Sequence, residues 1–174
     1  MARNRKLGRP TDQRMAILKN LTTDVILHGK VETTEARAKE VKSLVDSIIA
    51  LAVKEKDNFE MVDVKVIKAK LDSKGKKETE RVKSKNGKEY YKVVKEETTE
   101  NRQKDLPSRL NARRKIMKKI NKVKDKDGNN IDLPGKLFGE IAEKYKDVNG
   151  GYTRIVKMGP RRGDAAERAI LQLI

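Results

Sequence analysis

Asn149-Gly150-Gly151-Tyr152-Thr153-Arg154-Ile155-Val156-Lys157-Met158-Gly159-Pro160-Arg161-Arg162-Gly163-Asp164-Ala165-Ala166-Glu167-Arg168-Ala169-Ile170-Leu171-Gln172-Leu173-Ile174 is the stretch whose reading decides the fold. Gly and Pro punctuate it where β-branched and aliphatic residues propagate, so residues 149–174 are expected to form a β-hairpin with a Gly-Pro-Arg-Arg-Gly-Asp turn. Along its first strand the period of two sets Tyr152, Arg154, Val156 and Met158 on one face and Thr153, Ile155 and Lys157 on the other. Cations thus leave both faces of a partly buried ribbon, which calls for water or a polyanion beside it. The second strand alternates Ala169, Leu171 and Leu173 with Ile170, Gln172 and Ile174; it is the more apolar one and is expected to lie under helices.

The upstream chain supplies those helices. Thr11 or Asp12 caps a first helix that carries Met15, Leu18, Leu21 and Val25 as its stripe, with Arg14 and Lys19 off it, and that stops at His28-Gly29. Lys30 to Thr33 reads as a short strand, and Thr34 caps the longest helix, about Glu35 to Val53. Its core stripe is Ala38, Val41, Val45, Ile48 and Ala52, widened by Leu44 and Leu51. Ser108 starts a third helix through Ile120, with Leu110, Ile116, Met117 and Ile120 inward and Arg109, Arg113, Arg114, Lys115, Lys118 and Lys119 over the rest. That cationic face is denser than solubility requires. Pro134 opens a last helix on which Leu137, Phe138, Ile141, Ala142 and Tyr145 share one side.

Two segments stand apart. Residues 1–10 hold Arg3, Arg5, Lys6 and Arg9 in a composition that builds no core, a basic arm expected to lie along phosphates. Residues 57–107 alternate β-capable and charged residues around Asp72-Ser73-Lys74-Gly75 and Lys85-Asn86-Gly87-Lys88, and are expected to be an inserted hairpin or pair of hairpins. A contact arm for RNA or protein and a solvated surface excursion both fit this insertion.

With 174 residues the chain suits one domain with an insertion, and its 43 Lys and Arg against 26 Asp and Glu give a net charge of +17. Such a field concentrates polyanions and points to nucleic acid. A membrane fits poorly, because the longest aliphatic run, Ile48 to Val53, is too short to span. The basic N-terminus leads into no apolar segment, and cysteine is absent, so a cytosolic location is expected. His28, the single histidine, sits at a helix end, and no nucleophile pair, phosphate-binding glycine loop or Rossmann glycine set accompanies it. Asp125-Lys126-Asp127-Gly128 resembles the start of a calcium loop but lacks the later ligands and the closing glutamate. No enzymatic activity, metal, cofactor or small-molecule substrate is expected. Aromatic residues at 3% also disfavour a stacking platform for single strands.

The residues resemble the bacterial large-subunit ribosomal protein family L-seventeen. The resemblance is carried by Arg3-Asn4-Arg5-Lys6-Leu7-Gly8-Arg9, Lys30-Val31-Glu32-Thr33-Thr34, Ala36-Arg37-Ala38-Lys39-Glu40, Arg113-Arg114 and Lys136-Leu137-Phe138. Gly150-Gly151-Tyr152-Thr153-Arg154-Ile155 with Gly159 and Arg162-Gly163-Asp164 is its most specific part. It covers residues 1–56 and 108–174, leaving the segment between as an insertion. It implies an α+β, two-layer fold of helix, strand, three helices and two strands with a small mixed sheet. It also implies binding to large-subunit rRNA beside neighbouring ribosomal proteins near the peptide exit. The rRNA contacts expected on this basis are Arg3, Arg5, Lys6, Arg9, Arg14, Lys19, Arg37, Lys39, Arg109, Arg113, Arg114, Arg154, Lys157, Arg161 and Arg162. The alternative is a non-ribosomal accessory protein of nucleoid or RNA-chaperone type, which would share the charge but need a recognition helix or dimer symmetry.

Overall fold

A computed structural model describes residues 5–174; Arg3 and Asn4 lie outside the described residues. The chain divides into two compact units, one running to Asn58 and resuming at Asp105–Ile174, the other comprising Phe59–Lys104.

The first unit opens with α1, Thr11–His28, whose N-cap position is Pro10, so neither Thr11 nor Asp12 caps it. Gly29 ends the helix at φ 77°, a left-handed conformation open to glycine, and its N–H donates to the Val25 carbonyl at 2.8 Å. The core face of α1 is rotated from the expected stripe. Met15 is 55% exposed, and Thr22 and Thr23 are buried with Leu18, Val25 and Ile26. Each threonine hydroxyl donates to the carbonyl four residues back, Thr22 to Leu18 and Thr23 to Lys19, both at 2.8 Å, which lets a polar side chain enter the core.

Strand β1, Lys30–Thr34, leads into α2, Glu35–Glu55. Here the periodic reading holds: Ala38, Val41, Val45, Ile48 and Ala52 are all buried, joined by Ile49. Helix α2 touches α1, the terminal strands and the later helices, so its apolar side organises the core. Helix α3, Pro107–Lys119, begins at Pro107 after Leu106 rather than on a serine cap. Its inward residues are Arg109, Ala112 and Ile116, while Leu110 and Met117 point outward. A short ladder of β6, Val123–Lys124, and β7, Asn130–Ile131, closes the loop after it. The last helical segment starts as α4, Leu133–Lys136, with the Asp132 carboxylate accepting from the Gly135 N–H at 3.0 Å. It widens to a π turn over Leu137–Ile141 and ends in α5, Ala142–Lys144, and Leu137, Phe138, Ile141, Ala142 and Tyr145 are buried as the sequence suggested.

The terminal hairpin pairs β8, Thr153–Pro160, with β9, Glu167–Leu173, and β9 in turn pairs β1, giving the order β1-β9-β8. Both pairings are antiparallel, which corrects the expected mixed sheet while leaving the α+β class intact. Val31, Leu171 and Ile155 form one row across the sheet on the helix side; Glu32, Ile170 and Val156 form the adjacent outer row. The register slips between Lys157 and Gly159, and strand pairing continues to Pro160, so the turn lies two residues later than read and occupies 161–166. Tyr145 and Tyr152 meet edge to face at 5.3 Å, and the Tyr145 hydroxyl donates to the Ile174 carbonyl at 2.6 Å, fixing the end of the chain.

The second unit has β2, Phe59–Ala69, paired with β5, Lys95–Asp105, and β3, Thr79–Lys83, antiparallel to β4, Glu89–Val93. The Gly75 and Gly87 N–H groups close its two turns onto Asp72 and Ser84. Six of its cations meet carboxylates inside the unit: Lys70 with Glu78, Arg81 and Lys83 with Glu89, Lys68 and Arg102 with Glu100, and Lys104 with Glu60.

Candidate nucleic-acid interface

Helix α3 carries five cations over its last seven residues, Arg113, Arg114, Lys115, Lys118 and Lys119, because Ala112, Ile116 and Ile120 take the inward side and leave the rest of the circumference to solvent. Arg114, Lys115 and Lys118 are exposed and form no ion pair with any described residue. Lys119 donates to the Ser47 hydroxyl at 3.1 Å, which leaves its charge uncompensated. The β6–β7 ladder and its flanks add exposed Lys122, Lys124 and Lys126 directly after the helix. Sequence alone does not mark these lysines, because a turn rich in Asp and Gly reads as a solvated loop.

Arg109 does not belong to this surface. Its guanidinium is 4% exposed, lies 3.4 Å from Asp105 Oδ1 and sits 4.9 Å from the centre of the Phe138 ring. Burial pulls its pKa below the ordinary arginine value, Asp105 opposes that shift, and arginine stays charged throughout. The expectation that Arg109 faces rRNA is therefore corrected: it is a core cation. Arg113 is half-buried beside it, with Nε 3.0 Å from Asp105 Oδ2 and its guanidinium 5.7 Å from the same ring.

Other expected contacts are already matched by carboxylates. Glu35 accepts from Lys39 at 2.7 Å and Lys157 at 3.3 Å, joining the first turn of α2 to β8, and these two hydrogen bonds hold its carboxyl below the usual range. At the hairpin tip Arg161 donates to both oxygens of Asp164, at 2.8 and 2.5 Å, and Asp164 also accepts from the Ala166 N–H at 3.2 Å. The Arg161 bonds come first in pulling the Asp164 carboxyl down to about 2. Arg162, next to it, is exposed and pairs with no described residue.

Arg154 lies on the outer face of β8, opposite Gln172. In the arm Lys6 is exposed, Arg5 stands 3.8 Å from Glu40, and Arg9 donates to Gln13 at 3.3 Å. Arg14, Lys19 and Arg37 are half-buried. The structure thus brings Lys39 to Lys157 and Arg161 beside Arg162, and turns Arg109 inward.

A family model described as ribosomal protein L17 matches residues 17–174. This chain belongs to that family. A large ribosomal subunit protein bL17 of Acetivibrio thermocellus is 59% identical over 174 residues, covering all of both chains. Relatives of the same name are 58% identical in Ruminiclostridium cellulolyticum and 48% identical in Lachnospira eligens, again over the whole of both chains. Full-length coverage carries these alignments through residues 59–104, so the second unit is shared with those L17 proteins. The names are those of a subunit protein, and none is that of an enzyme. Among the described residues no group of His, Asp and Glu is arranged to hold a metal, and no helix is long and apolar enough to cross a membrane.

Proposed function

We propose that this chain is a structural constituent of the large ribosomal subunit in the cytoplasm, holding large-subunit rRNA through α3, the β6–β7 turn, the hairpin tip and the basic arm. Neighbouring ribosomal proteins near the peptide exit are its other partners. The observation that carries the reading is the contrast in charge pairing. Lys39 and Lys157 share Glu35 at the α2–β8 junction, and Lys68, Lys70, Arg81, Lys83, Arg102 and Lys104 of the second unit meet carboxylates, whereas Arg114, Lys115 and Lys118 face solvent together with none. A helix face of uncompensated cations gains free energy by releasing counterions from a phosphate backbone. Phosphate contacts position such a protein, and the shape of folded RNA does most of the selecting. The names of the L17 relatives supply the particle.

The test is the salt dependence of binding to protein-free large-subunit rRNA. Changing Arg114, Lys115 and Lys118 together to alanine should lower the slope of log K against log salt by about two units, at roughly 0.7 to 0.9 per phosphate contact. An unchanged slope removes α3 from the interface. Cosedimentation separates the accessory-protein alternative: a subunit constituent stays with large subunits at near-stoichiometric level through moderate salt.

A further inference from the structure

Beside the cationic face of α3 lies a slot of about 290 Å³, closed on one side by the end of that helix and on the other by β7 and the start of α4. Its walls include Met117, Ile120, Ile131 and Leu133, and its polar rim includes Lys122 and Asn130. Ile120 and Leu133 form a buried floor, while Met117, 49% exposed, forms an open apolar lip. The size falls just under the roughly 300 to 1,000 Å³ typical of small-molecule sites, suited to one planar ring system. Met117 stands exposed amid the cations of the last two turns of α3, and its exposure is not explained by the fold.

From this juxtaposition we infer that the slot receives one unstacked nucleobase of the bound rRNA, with the phosphates on either side of that base held by Lys122 and the α3 cations. An unpaired base has two apolar faces and a polar edge. The aliphatic walls suit the faces, and the Asn130 amide, which offers both donor and acceptor, suits the edge. The one carboxylate on the rim does not oppose this. Asp132 is engaged by the Gly135 N–H and stands 4.0 Å from the Arg113 guanidinium. Charge complementarity selects a nucleotide over an apolar peptide side chain, because a base arrives tethered to two phosphates and the slot opens among uncompensated lysines.

The inference rests on the proposed rRNA binding, and two substitutions at Met117 test it. Both should leave the fold intact, since the side chain is half exposed, and a native unfolding midpoint verifies that. Met117→Trp fills the slot, and Met117→Lys adds a cation while removing the apolar lip. With protein-free large-subunit rRNA and the full chain, either variant should bind about five- to tenfold more weakly than the wild type, as loss of a buried base predicts. Dimethyl sulfate probing should show an unpaired base protected by the wild type and reactive with Met117→Trp, while hydroxyl-radical protection of the backbone is kept. Tighter binding by Met117→Lys, or base protection unchanged in Met117→Trp, overturns the slot and leaves the rRNA reading standing. Wild-type protein that fails to bind the rRNA overturns both. Variants that bind naked rRNA normally yet are lost from assembled subunits assign the slot to a neighbouring protein and overturn the base.

Discussion

The Arg109 guanidinium lies 4.9 Å from the centre of the Phe138 ring, and the two residues join α3 to the π turn across the core. Asp105, at the start of the same unit's second segment, faces both Arg109 and Arg113. Removing the guanidinium loses a ring contact, opens a cavity and leaves Asp105 with Arg113 as its remaining cationic partner, so Arg109→Ala should destabilise the protein by about 2 to 3 kcal/mol. Urea unfolding reads this directly. The variant should keep its salt slope on rRNA, because Arg109 does not reach the surface; a lower slope with unchanged stability would return it to the interface.

Thr23 bridges α1 and the turn after α3: its hydroxyl donates to the Lys19 carbonyl and accepts from the Asn121 N–H at 2.9 Å. Thr23→Val keeps the shape and leaves that N–H without its partner. A loss of about 1 to 2 kcal/mol is expected, the usual result of orphaning a buried donor. Thr22→Val, which removes only a bond within its own helix, should cost less in the same unfolding measurement.

These residues also show where the sequence was legible. The α2 stripe could be read because five aliphatic residues recur at helical spacing on the one element that others pack around. Helix α1 misled because a buried threonine that bonds its own backbone is indistinguishable, by hydropathy, from an exposed one. Arginine 109 misled for the same reason, its partners Asp105 and Phe138 being visible only once the helices meet. Strand β5, Lys-Glu-Glu-Thr-Thr-Glu-Asn-Arg-Gln-Lys-Asp, carries no period-two signal because nearly all of it faces solvent and pairing with β2 alone makes it a strand. The cations of α3 were evident from composition. Which cations are neutralised was not, since Glu35 meets Lys157 across 122 positions of sequence.

Asn58 and Leu106 flank the second unit and touch: the Leu106 N–H donates to the Asn58 carbonyl at 3.2 Å. Asn58 Nδ2 also donates to the Ser108 hydroxyl, and Ser108 Oγ donates to Glu55 at 2.7 Å. The chain ends left by deleting residues 59–104 are therefore already adjacent, and the buried core cluster lies wholly outside that range. A deletion joined by two glycines should unfold cooperatively and retain binding to protein-free rRNA. Non-cooperative melting would show that the first unit depends on the second.

At the hairpin tip the two neighbouring arginines should behave differently. Arg161 spends its guanidinium on Asp164 and frames the turn, in which the Arg161 N–H donates to Ala166 at 2.9 Å and the Ala165 N–H returns to Arg161 at 2.8 Å. Asp164 has its carboxyl lowered to about 2, chiefly by Arg161, so the turn's contribution is complete above the ordinary carboxylate range and disappears as pH falls through about 2. A carbon-detected titration of the Asp164 carboxyl should give that low midpoint in the wild type and a midpoint near the ordinary aspartate value in Arg161→Ala. Arg162 has no such partner and is left for phosphate. Arg162→Ala should lower the salt slope on large-subunit rRNA by about one unit with the Asp164 midpoint unchanged. Arg161→Gln should shift the midpoint and loosen the turn, weakening binding through geometry. Equal slopes for wild type and Arg162→Ala would show that the tip is solvated and that α3 carries the phosphate contacts alone.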